Sequence, residues 1–181
     1  MSIHEDVQYV LLTKEQIAKR VKELGAILEA KYADRKPLAV CILRGSAVFF
    51  CDLIREMNIP LTTDFMRVSS YGSALQSSGN IQILTDLSED ITGKEILLVE
   101  DIIDSGNTLY KLKNFLLLKG AKEVFIVTLL DKPARREADI SADLTGFTIA
   151  DEFVIGYGLD YIEEYRNLPY VGVLKPSVYQ K

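Results

Sequence analysis

The stretch EILLVEDIIDSGNTL, residues 95–109, decides the fold class of this chain. It begins with consecutive apolar residues, which are typical of a β-strand buried on both faces of a parallel sheet. The strand is predicted to end at Glu100, and Asp101 and Asp104 follow it before a helix that begins near Thr108. In open α/β folds ligands bind beyond the carboxyl ends of the strands, so these acids are expected to line a ligand site.

Strands and helices alternate along the rest of the chain. A helix is predicted over residues 13–32, where Thr13 and Gln16 match a capping box. We expect one α/β domain over residues 1–181, with an open, twisted, mainly parallel sheet flanked by helices. Apolar runs bounded by turn residues predict the other elements, which are the strands PLAVCIL (37–43), IPLTTDFMRVSSY (59–71), IQIL (81–84) and EVFIVTLL (123–130) and the helices SAVFFCDLIREM (46–57) and TLYKLKNFLLLKG (108–120).

Composition and charge argue against several classes of protein. The chain has 181 residues, of which 48% are hydrophobic and 26% are charged, as in an ordinary globular domain. Its net charge of −5 gives no overall attraction to nucleic acid, and no apolar run reaches signal-peptide or membrane-spanning length. We therefore expect a cytoplasmic protein without a nucleic-acid or membrane partner.

The few cysteines and histidines limit the possible chemistry. Cys41 and Cys51 are too few for a disulfide framework and lack the spacing of a zinc site. The single histidine, His4, lies in a predicted loose N-terminal segment, so Ser-His-Asp and Cys-His mechanisms are set aside. Acid–base catalysis would then depend on carboxylates, lysines or tyrosines.

The loop before the predicted helix has the features of an anion site. Backbone amides of residues 104–108 and the positive end of the helix point to one place, and Gly106 allows a tight turn there. Ser105 and Thr108 add hydroxyl donors. The sequence lacks the glycine patterns of a Walker loop or a dinucleotide site. Because carboxylates repel phosphate but accept hydrogen bonds from sugar hydroxyls, the acids beside this loop predict a site for a phosphorylated ribose.

The motif ILLVEDIIDSGNTL resembles the diphosphoribosyl-binding motif of the type I phosphoribosyltransferases, and its acids match the 6-oxopurine branch of that family. The likeness extends from YVLLTKEQI (9–17) to VGVLKP (171–176). It implies the type I phosphoribosyltransferase fold, with a small hood formed near residues 1–12 and 150–181. It also implies a flexible lid loop near residues 70–81 and assembly as a homodimer or homotetramer.

Two further segments carry the resemblance on the diphosphate side. LRGS, residues 43–46, resembles the family's pyrophosphate loop, in which Arg44 and Gly45 bind substrate and the bond between Leu43 and Arg44 can be cis. SSYGS resembles the start of the catalytic lid loop, with Ser70 and Tyr71 at the paired positions. In some relatives a lysine stands where this chain has Asn107, and backbone amides are expected to compensate for it.

The base side of the site is implied by two more matches. LLDKP places Lys132 where the family reads the 6-oxo group of the purine. DEFVIGYGLDYIEEYRNL implies that Phe153 stacks on the purine, Val154 contacts its edge, Asp160 holds magnesium and Arg166 reaches pyrophosphate. The catalytic residues are then expected to be Asp104, Lys132 and Arg166, the metal ligands Asp160, Glu100 and Asp101, and the remaining substrate contacts Ile103, Ser105, Gly106, Asn107, Thr108 and Leu159.

The resemblance implies a magnesium-dependent transfer of a phosphoribosyl group from 5-phosphoribosyl 1-diphosphate to hypoxanthine or guanine. Asp104 would be the general base for the purine nitrogen. Two alternatives stay open at this point: an enzyme for another base, such as xanthine, adenine or uracil, and a regulator that only senses the diphosphate. The presence of Asp104, Arg44 and Lys132 together with the negative net charge favours an enzyme.

Overall fold

The computed structural model describes residues 2–70 and 81–180. The strands of these ranges are β1 (Val7–Leu12), β2 (Leu38–Leu43), β3 (Thr62–Ser70), β4 (Ile81–Thr85), β5 (Glu95–Ile103), β6 (Glu123–Asp131), β7 (Leu144–Thr148), β8 (Val154–Ile155) and β9 (Val171–Leu174). The α-helices are α1 (Lys14–Lys31), α2 (Ala47–Arg55), α3 (Asn107–Leu118) and α4 (Pro176–Tyr179), and short 3-10 turns cover Ile3–Asp6 and Pro133–Arg135.

The central sheet of the described residues has the strand order β4-β3-β2-β5-β6-β7. All neighbouring strands in it are parallel except β3 and β4, which pair antiparallel. The predicted α/β fold with a mainly parallel sheet is therefore confirmed. Strand β5 lies inside this sheet, so its carboxyl end has strand ends on both sides of it.

Hydrophobic side chains cover both faces of this sheet. Helices α1 and α2 pack on one face, where Leu97 and Val99 of β5 are fully buried. Helix α3 packs on the other face against Ile96 and Leu98, which are also fully buried. Because adjacent residues of a strand point to opposite faces, the unbroken apolar run in β5 is explained by burial on both sides.

Helix α1 begins where the sequence predicts it. The side chain of Thr13 accepts a hydrogen bond from the Gln16 amide at 3.2 Å, and the Gln16 side chain accepts one from the Thr13 amide at 2.8 Å. This reciprocal pair satisfies two amides that have no partner inside the helix. The predicted capping box is therefore confirmed.

A second, antiparallel sheet with the order β1-β9-β8 stands beside the carboxyl edge of the central sheet. We call residues 151–180, together with β1, the hood. The prediction of a loose N-terminal segment is wrong, because β1 pairs with β9 along its length and Val7 lies opposite Leu174. The ring nitrogen Nδ1 of His4 is 2.6 Å from the hydroxyl of Tyr170, so this residue is also held by the hood.

The predicted lid loop lies almost entirely outside the residues that the structure describes. The lid loop expected near residues 70–81 falls on the connection between β3 and β4, and Tyr71 and the following residues lie outside the described residues. Among the helices that the structure describes, none is long and apolar enough to cross a membrane.

Candidate active site

The predicted carboxylates lie at the end of β5, although the strand is longer than expected. We predicted that it ends at Glu100, whereas it continues to Ile103 and pairs with β6 up to Asp131. Strand pairing therefore holds the backbone of Glu100 and Asp101 in place. Asp104 is the first predicted site residue beyond the strand.

Glu100 and Asp101 form a pair of neighbouring acids, of which Asp101 is buried and Glu100 is partly buried. The side-chain oxygen Oε2 of Glu100 is buried without a hydrogen-bond partner among the described residues, and Asp101 is 8% exposed. Burial raises the pKa of Glu100 well above its usual value, and the neighbouring charge of Asp101 adds to that effect. Burial also raises the pKa of Asp101, although the Ile102 amide donates to its carboxylate at 2.8 Å. The pair therefore favours binding of a proton, a cation or a donor hydroxyl.

The loop between β5 and α3 has the geometry of an anion site. Its Gly106 has a φ of +82°, and a Cβ atom there would lie 2.7 Å from a side-chain carbon of Ile140. The first helical hydrogen bond of α3 runs from the Tyr110 amide to the Gly106 carbonyl at 2.9 Å. The Asn107 amide donates to the Ser105 hydroxyl at 3.4 Å. The amides of Thr108 and Leu109 have no acceptor inside the helix, which leaves them available to an anion.

Residues 132–140, which we call the brace, support this loop from the side. The amides of Glu137 and Ala138 both donate to the Ser105 carbonyl, at 2.9 and 3.1 Å. Arg136 donates to the Asp104 carbonyl at 3.2 Å and forms an ion pair with Asp131. The brace was not predicted, because these contacts join residues about thirty positions apart and no local pattern signals them.

Asn107 takes part in the same support. Its side-chain amide donates to the Glu137 carboxylate at 2.6 Å, so its side chain is bound to the brace. That the backbone amides compensate for the missing lysine stays a prediction.

Two neighbouring cavities meet at the end of β5. The smaller has a volume of about 260 Å³ and is lined by residues of the anion loop, Ser105, Gly106 and Thr108 among them. The larger, of about 510 Å³, is lined by Lys132 and by hood residues. Both cavities contain Asp101, Ile102 and Asp104, so a ligand that fills both would pass these residues.

Lys132 lies on the wall of the larger cavity. The residue is only 7% exposed, and its amide donates to the Ile103 carbonyl at 2.9 Å. Burial lowers the pKa of Lys132, while the charges of Asp104 and Asp151 act in the opposite direction. A lysine at this position offers donors and no acceptor to whatever the cavity binds.

The hood supplies the opposite wall of the larger cavity. Phe153 is 39% exposed, and Tyr179 stacks on it with ring centres 4.9 Å apart and 20° between the ring planes. Tyr161 packs edge-on against the same ring at 5.6 Å. The sequence predicted that Phe153, Val154, Leu159 and Asp160 contact the ligand. It gave no signal for the other residues that line the larger cavity, which are Ile102, Arg135, Asp151, Glu152, Tyr179 and Gln180.

The LRGS loop and the hood approach each other closely near Asp101. The bond between Leu43 and Arg44 is cis. A Cβ atom on Gly45 would lie 1.7 Å from the Asp101 carboxylate, and a Cβ atom on Gly158 would lie 2.0 Å from the Gly45 carbonyl. Only glycine fits at both positions, so these glycines allow the loop, the acid pair and the hood to meet.

The two arginines predicted for pyrophosphate lie close together at this meeting point. Arg44 and the Oε1 atom of Glu163 are 2.6 Å apart, and Arg166 is 3.2 Å from the other oxygen of the same carboxylate. Arg166 also pairs with Asp160 at 2.7 Å and donates to the Gly158 carbonyl at 2.8 Å. Glu163 was not predicted as a site residue.

The structure therefore places most of the predicted site residues around one edge of the sheet. Tyr71 lies outside the described residues, and Ser70 is described only as the last residue of β3. Over residues 2–70 and 81–180, no group of three or more His, Cys, Asp or Glu side chains could hold a metal ion by itself. Glu100, Asp101 and Asp160 thus do not form a complete metal site without further ligands.

The chain is similar to known proteins over nearly its whole length. A family model described as a phosphoribosyl transferase domain matches residues 10–162. The hypoxanthine-guanine phosphoribosyltransferase of Bacillus subtilis is 53% identical over 97% of both chains, and that of Lactococcus lactis is 51% identical over 99% of this chain and 98% of the relative. The crystal structure of a hypoxanthine phosphoribosyltransferase from Staphylococcus aureus superposes with a TM-score of 0.95 at 49% identity, covering 99% of this chain and 97% of the other. This chain belongs to the phosphoribosyltransferase family, in its hypoxanthine-guanine branch.

Proposed function

We propose that the chain is a purine salvage enzyme that transfers the phosphoribosyl group of 5-phosphoribosyl 1-diphosphate to hypoxanthine or guanine. The products are the nucleoside monophosphate and pyrophosphate. The observation that carries this proposal is the pair of cavities that share Asp101, Ile102 and Asp104. The smaller cavity has hydrogen-bond donors for a phosphate, and the larger has an aromatic wall and a lysine for a base. The shared residues lie where the sugar and the base would be joined.

The smaller cavity is proposed to bind the ribose 5-phosphate. The amides of Thr108 and Leu109 and the hydroxyls of Ser105 and Thr108 would hold the phosphate. Glu100 and Asp101 would accept hydrogen bonds from the ribose hydroxyls. The unpartnered oxygen of Glu100 supports this role, since a buried acceptor without a donor is costly.

The larger cavity is proposed to bind the purine between Ile102 and Phe153. Lys132 would donate to the 6-oxo group, and it would meet a second donor if the base carried a 6-amino group instead. Asp104 would accept the proton of the purine's imidazole nitrogen as the bond to the sugar forms. Its Oδ1 atom is buried without a partner among the described residues, which leaves that oxygen available.

The departing diphosphate is proposed to lie between the LRGS loop and the hood. Arg44, Arg166 and the amides that follow Arg44 would stabilise the negative charge that accumulates on it. Asp160, with Glu100 and Asp101, would hold magnesium, because carboxylate oxygens suit this ion and oxygens of the donor can complete its coordination. When bound, magnesium supplies positive charge next to the diphosphate.

The activity is tested by steady-state kinetics with a panel of bases. We expect the wild-type enzyme to release pyrophosphate with hypoxanthine and guanine and to prefer them to adenine in kcat/KM by at least about 10³-fold, because a buried donor would stay unpaired against adenine. The Lys132→Ala variant should narrow this preference by about tenfold or more, since it removes the charged donor. Lys36→Ala, which changes an exposed lysine at the opposite end of the sheet, is the matched control.

Two outcomes would contradict the proposal. A preference for xanthine, adenine or uracil would assign the fold to another base. Binding of 5-phosphoribosyl 1-diphosphate without pyrophosphate release in the presence of any base would favour the sensor alternative.

A homodimeric or homotetrameric assembly and a cytoplasmic location stay predictions from the sequence.

A further inference from the structure

Glu163 lies between the two arginines that are proposed to contact pyrophosphate. Its two carboxylate oxygens are divided between them, with Oε1 2.6 Å from Arg44 and Oε2 3.2 Å from Arg166. Arg44 belongs to the LRGS loop and Arg166 to the hood, so one side chain links the two walls of this end of the site. The side chains of Arg44 and Glu163 are both about half exposed, at 52% and 57%, so an incoming ligand can reach them.

The local backbone directs this carboxylate toward the arginines. Glu163 has a φ of +65°, and its amide donates to the Asp160 carboxylate at 3.0 Å. The backbones of Tyr161 and Glu164 bond to each other across the same turn, at 3.1 and 3.3 Å. The next acid, Glu164, is exposed and makes no ion pair with the described residues. The turn therefore brings the carboxylate of Glu163, and not that of Glu164, into contact with the two arginines.

A carboxylate shared by two guanidinium groups uses donors that a diphosphate would also need. Guanidinium groups stay charged at all ordinary pH values and bind phosphate and carboxylate oxygens with the same fork of N–H donors. Donors that bind Glu163 cannot bind a diphosphate oxygen at the same time. Glu163 contacts the Nη2 group of each arginine, so an arriving diphosphate competes with it for these donors.

We propose that Glu163 is a positioning residue that holds Arg44 and Arg166 together in the free enzyme and releases them to the diphosphate. It lowers the affinity for 5-phosphoribosyl 1-diphosphate and for pyrophosphate, and it leaves the binding of the purine unchanged. The inference rests on the proposed function, in which these two arginines contact the diphosphate.

The test compares Glu163→Gln with Glu164→Gln. Both variants remove one negative charge from adjacent positions, so they change the net charge of the chain equally. An exposed ion pair corresponds to roughly a twofold to threefold change in binding, and two of them correspond to roughly a fourfold to ninefold change. We expect Glu163→Gln to lower the KM for 5-phosphoribosyl 1-diphosphate and the inhibition constant for pyrophosphate by that factor. The KM for hypoxanthine should change by less than about twofold, and Glu164→Gln should move none of these constants beyond that limit.

A double variant shows whether the effect passes through the arginines. In an Arg44→Ala background one partner of Glu163 is gone, so Glu163→Gln should change the pyrophosphate affinity less than it does in the wild type. An undiminished effect in that background would contradict the proposal. Glu163→Asn offers a second neutral side chain that tolerates a left-handed backbone, in case Glu163→Gln folds poorly.

Titration calorimetry with inorganic pyrophosphate and magnesium measures the same affinity without turnover. The proposal is overturned if the Gln and Asn variants of Glu163 bind pyrophosphate no more tightly than Glu164→Gln. It is overturned equally if they bind it more weakly, since Glu163 would then help the arginines rather than compete for them. If the wild type turns over no purine at all, the proposed function fails, while the calorimetric comparison still decides the role of Glu163.

Discussion

The two halves of the candidate site are built in different ways. On the sheet side, Glu100 and Asp101 lie on β5, and Lys132 follows directly after β6, so strand pairing fixes their backbones. On the hood side, Asp160 and Arg166 lie on turns, and the chain between them takes positive φ values at non-glycine positions, among them Ile162, Glu163 and Tyr165. The acids proposed to face the ribose and the lysine proposed to face the base are therefore held by regular structure. The groups proposed to face the diphosphate depend on turns and ion pairs, which are easier to rearrange.

This comparison predicts different consequences for substitutions in the two halves. A change on the sheet side should remove chemistry and leave the fold intact, because the backbone there does not depend on the side chain. A change at a glycine on the hood side should disturb the fold, because the approach of two loops depends on it. Three variants test the distinction.

Asp104→Ala should give the largest effect. We expect kcat to fall by about 10² to 10⁴-fold, since this is the usual contribution of a general base. The KM for 5-phosphoribosyl 1-diphosphate should stay within a few-fold, and thermal unfolding should be nearly unchanged. Asp139→Ala, which alters an exposed acid on the brace, is the control. If kcat of Asp104→Ala stayed normal, the sheet side would not supply the proton acceptor.

Gly158→Ala should give the largest effect on the hood side. The residue has a φ of +101°, and a Cβ atom would lie 2.0 Å from the Gly45 carbonyl. Strain and overlap together are expected to cost about 2–4 kcal/mol of unfolding free energy and to raise the KM for 5-phosphoribosyl 1-diphosphate.

The control for Gly158→Ala is Gly93→Ala. Gly93 also has a positive φ, of +74°, but a Cβ atom there meets no described atom within 4 Å. Denaturant unfolding of both variants separates the backbone strain, which they share, from the steric overlap, which only Gly158→Ala has. Equal losses of stability would show that the approach of the two loops is not tight.

Glu100→Gln should give the smallest effect, which is a pH-dependent change in the free energy of unfolding. Burial raises the pKa of Glu100 above the usual value of 4.5, so the folded state binds its proton more strongly than the unfolded state does. The bound proton therefore stabilises the folded state fully at pH values below the pKa of Glu100 in the unfolded chain. This stabilisation is lost as the pH rises through the pKa of Glu100 in the folded protein. Relative to the wild type, the ligand-free Gln variant should therefore gain about 1 kcal/mol as the pH rises from 4 to 8.

The measurement for Glu100→Gln is denaturant unfolding across that pH range without ligand. Glu164→Gln, whose carboxylate is exposed, should follow the wild-type curve. Parallel curves for Glu100→Gln and the wild type would mean that the Glu100 carboxylate is not destabilised by burial. That result would contradict the description of the acid pair.

The parts of the molecule that could be predicted from the sequence are those with local causes. The apolar run of β5, the turn at Gly106 and the capping box at Thr13 each follow from spacing and residue type. The hood residues Phe153, Asp160 and Arg166 were predicted only through the family resemblance, because glycine turns and short strands leave no periodic signal. Glu163 and Arg136 were missed, since their partners come from distant segments and depend on backbone turns that propensities do not specify.

The brace has a consequence for how base preference can change. Lys132 donates its amide to β5, and a few residues later Glu137 and Ala138 donate theirs to Ser105 in the anion loop. One short stretch of chain therefore carries the lysine proposed to contact the base and also supports the loop proposed to bind the sugar phosphate. A shift of this stretch to accommodate a different base would weaken the binding of 5-phosphoribosyl 1-diphosphate. New base preferences should therefore evolve more readily through substitutions in the hood wall than through substitutions around Lys132.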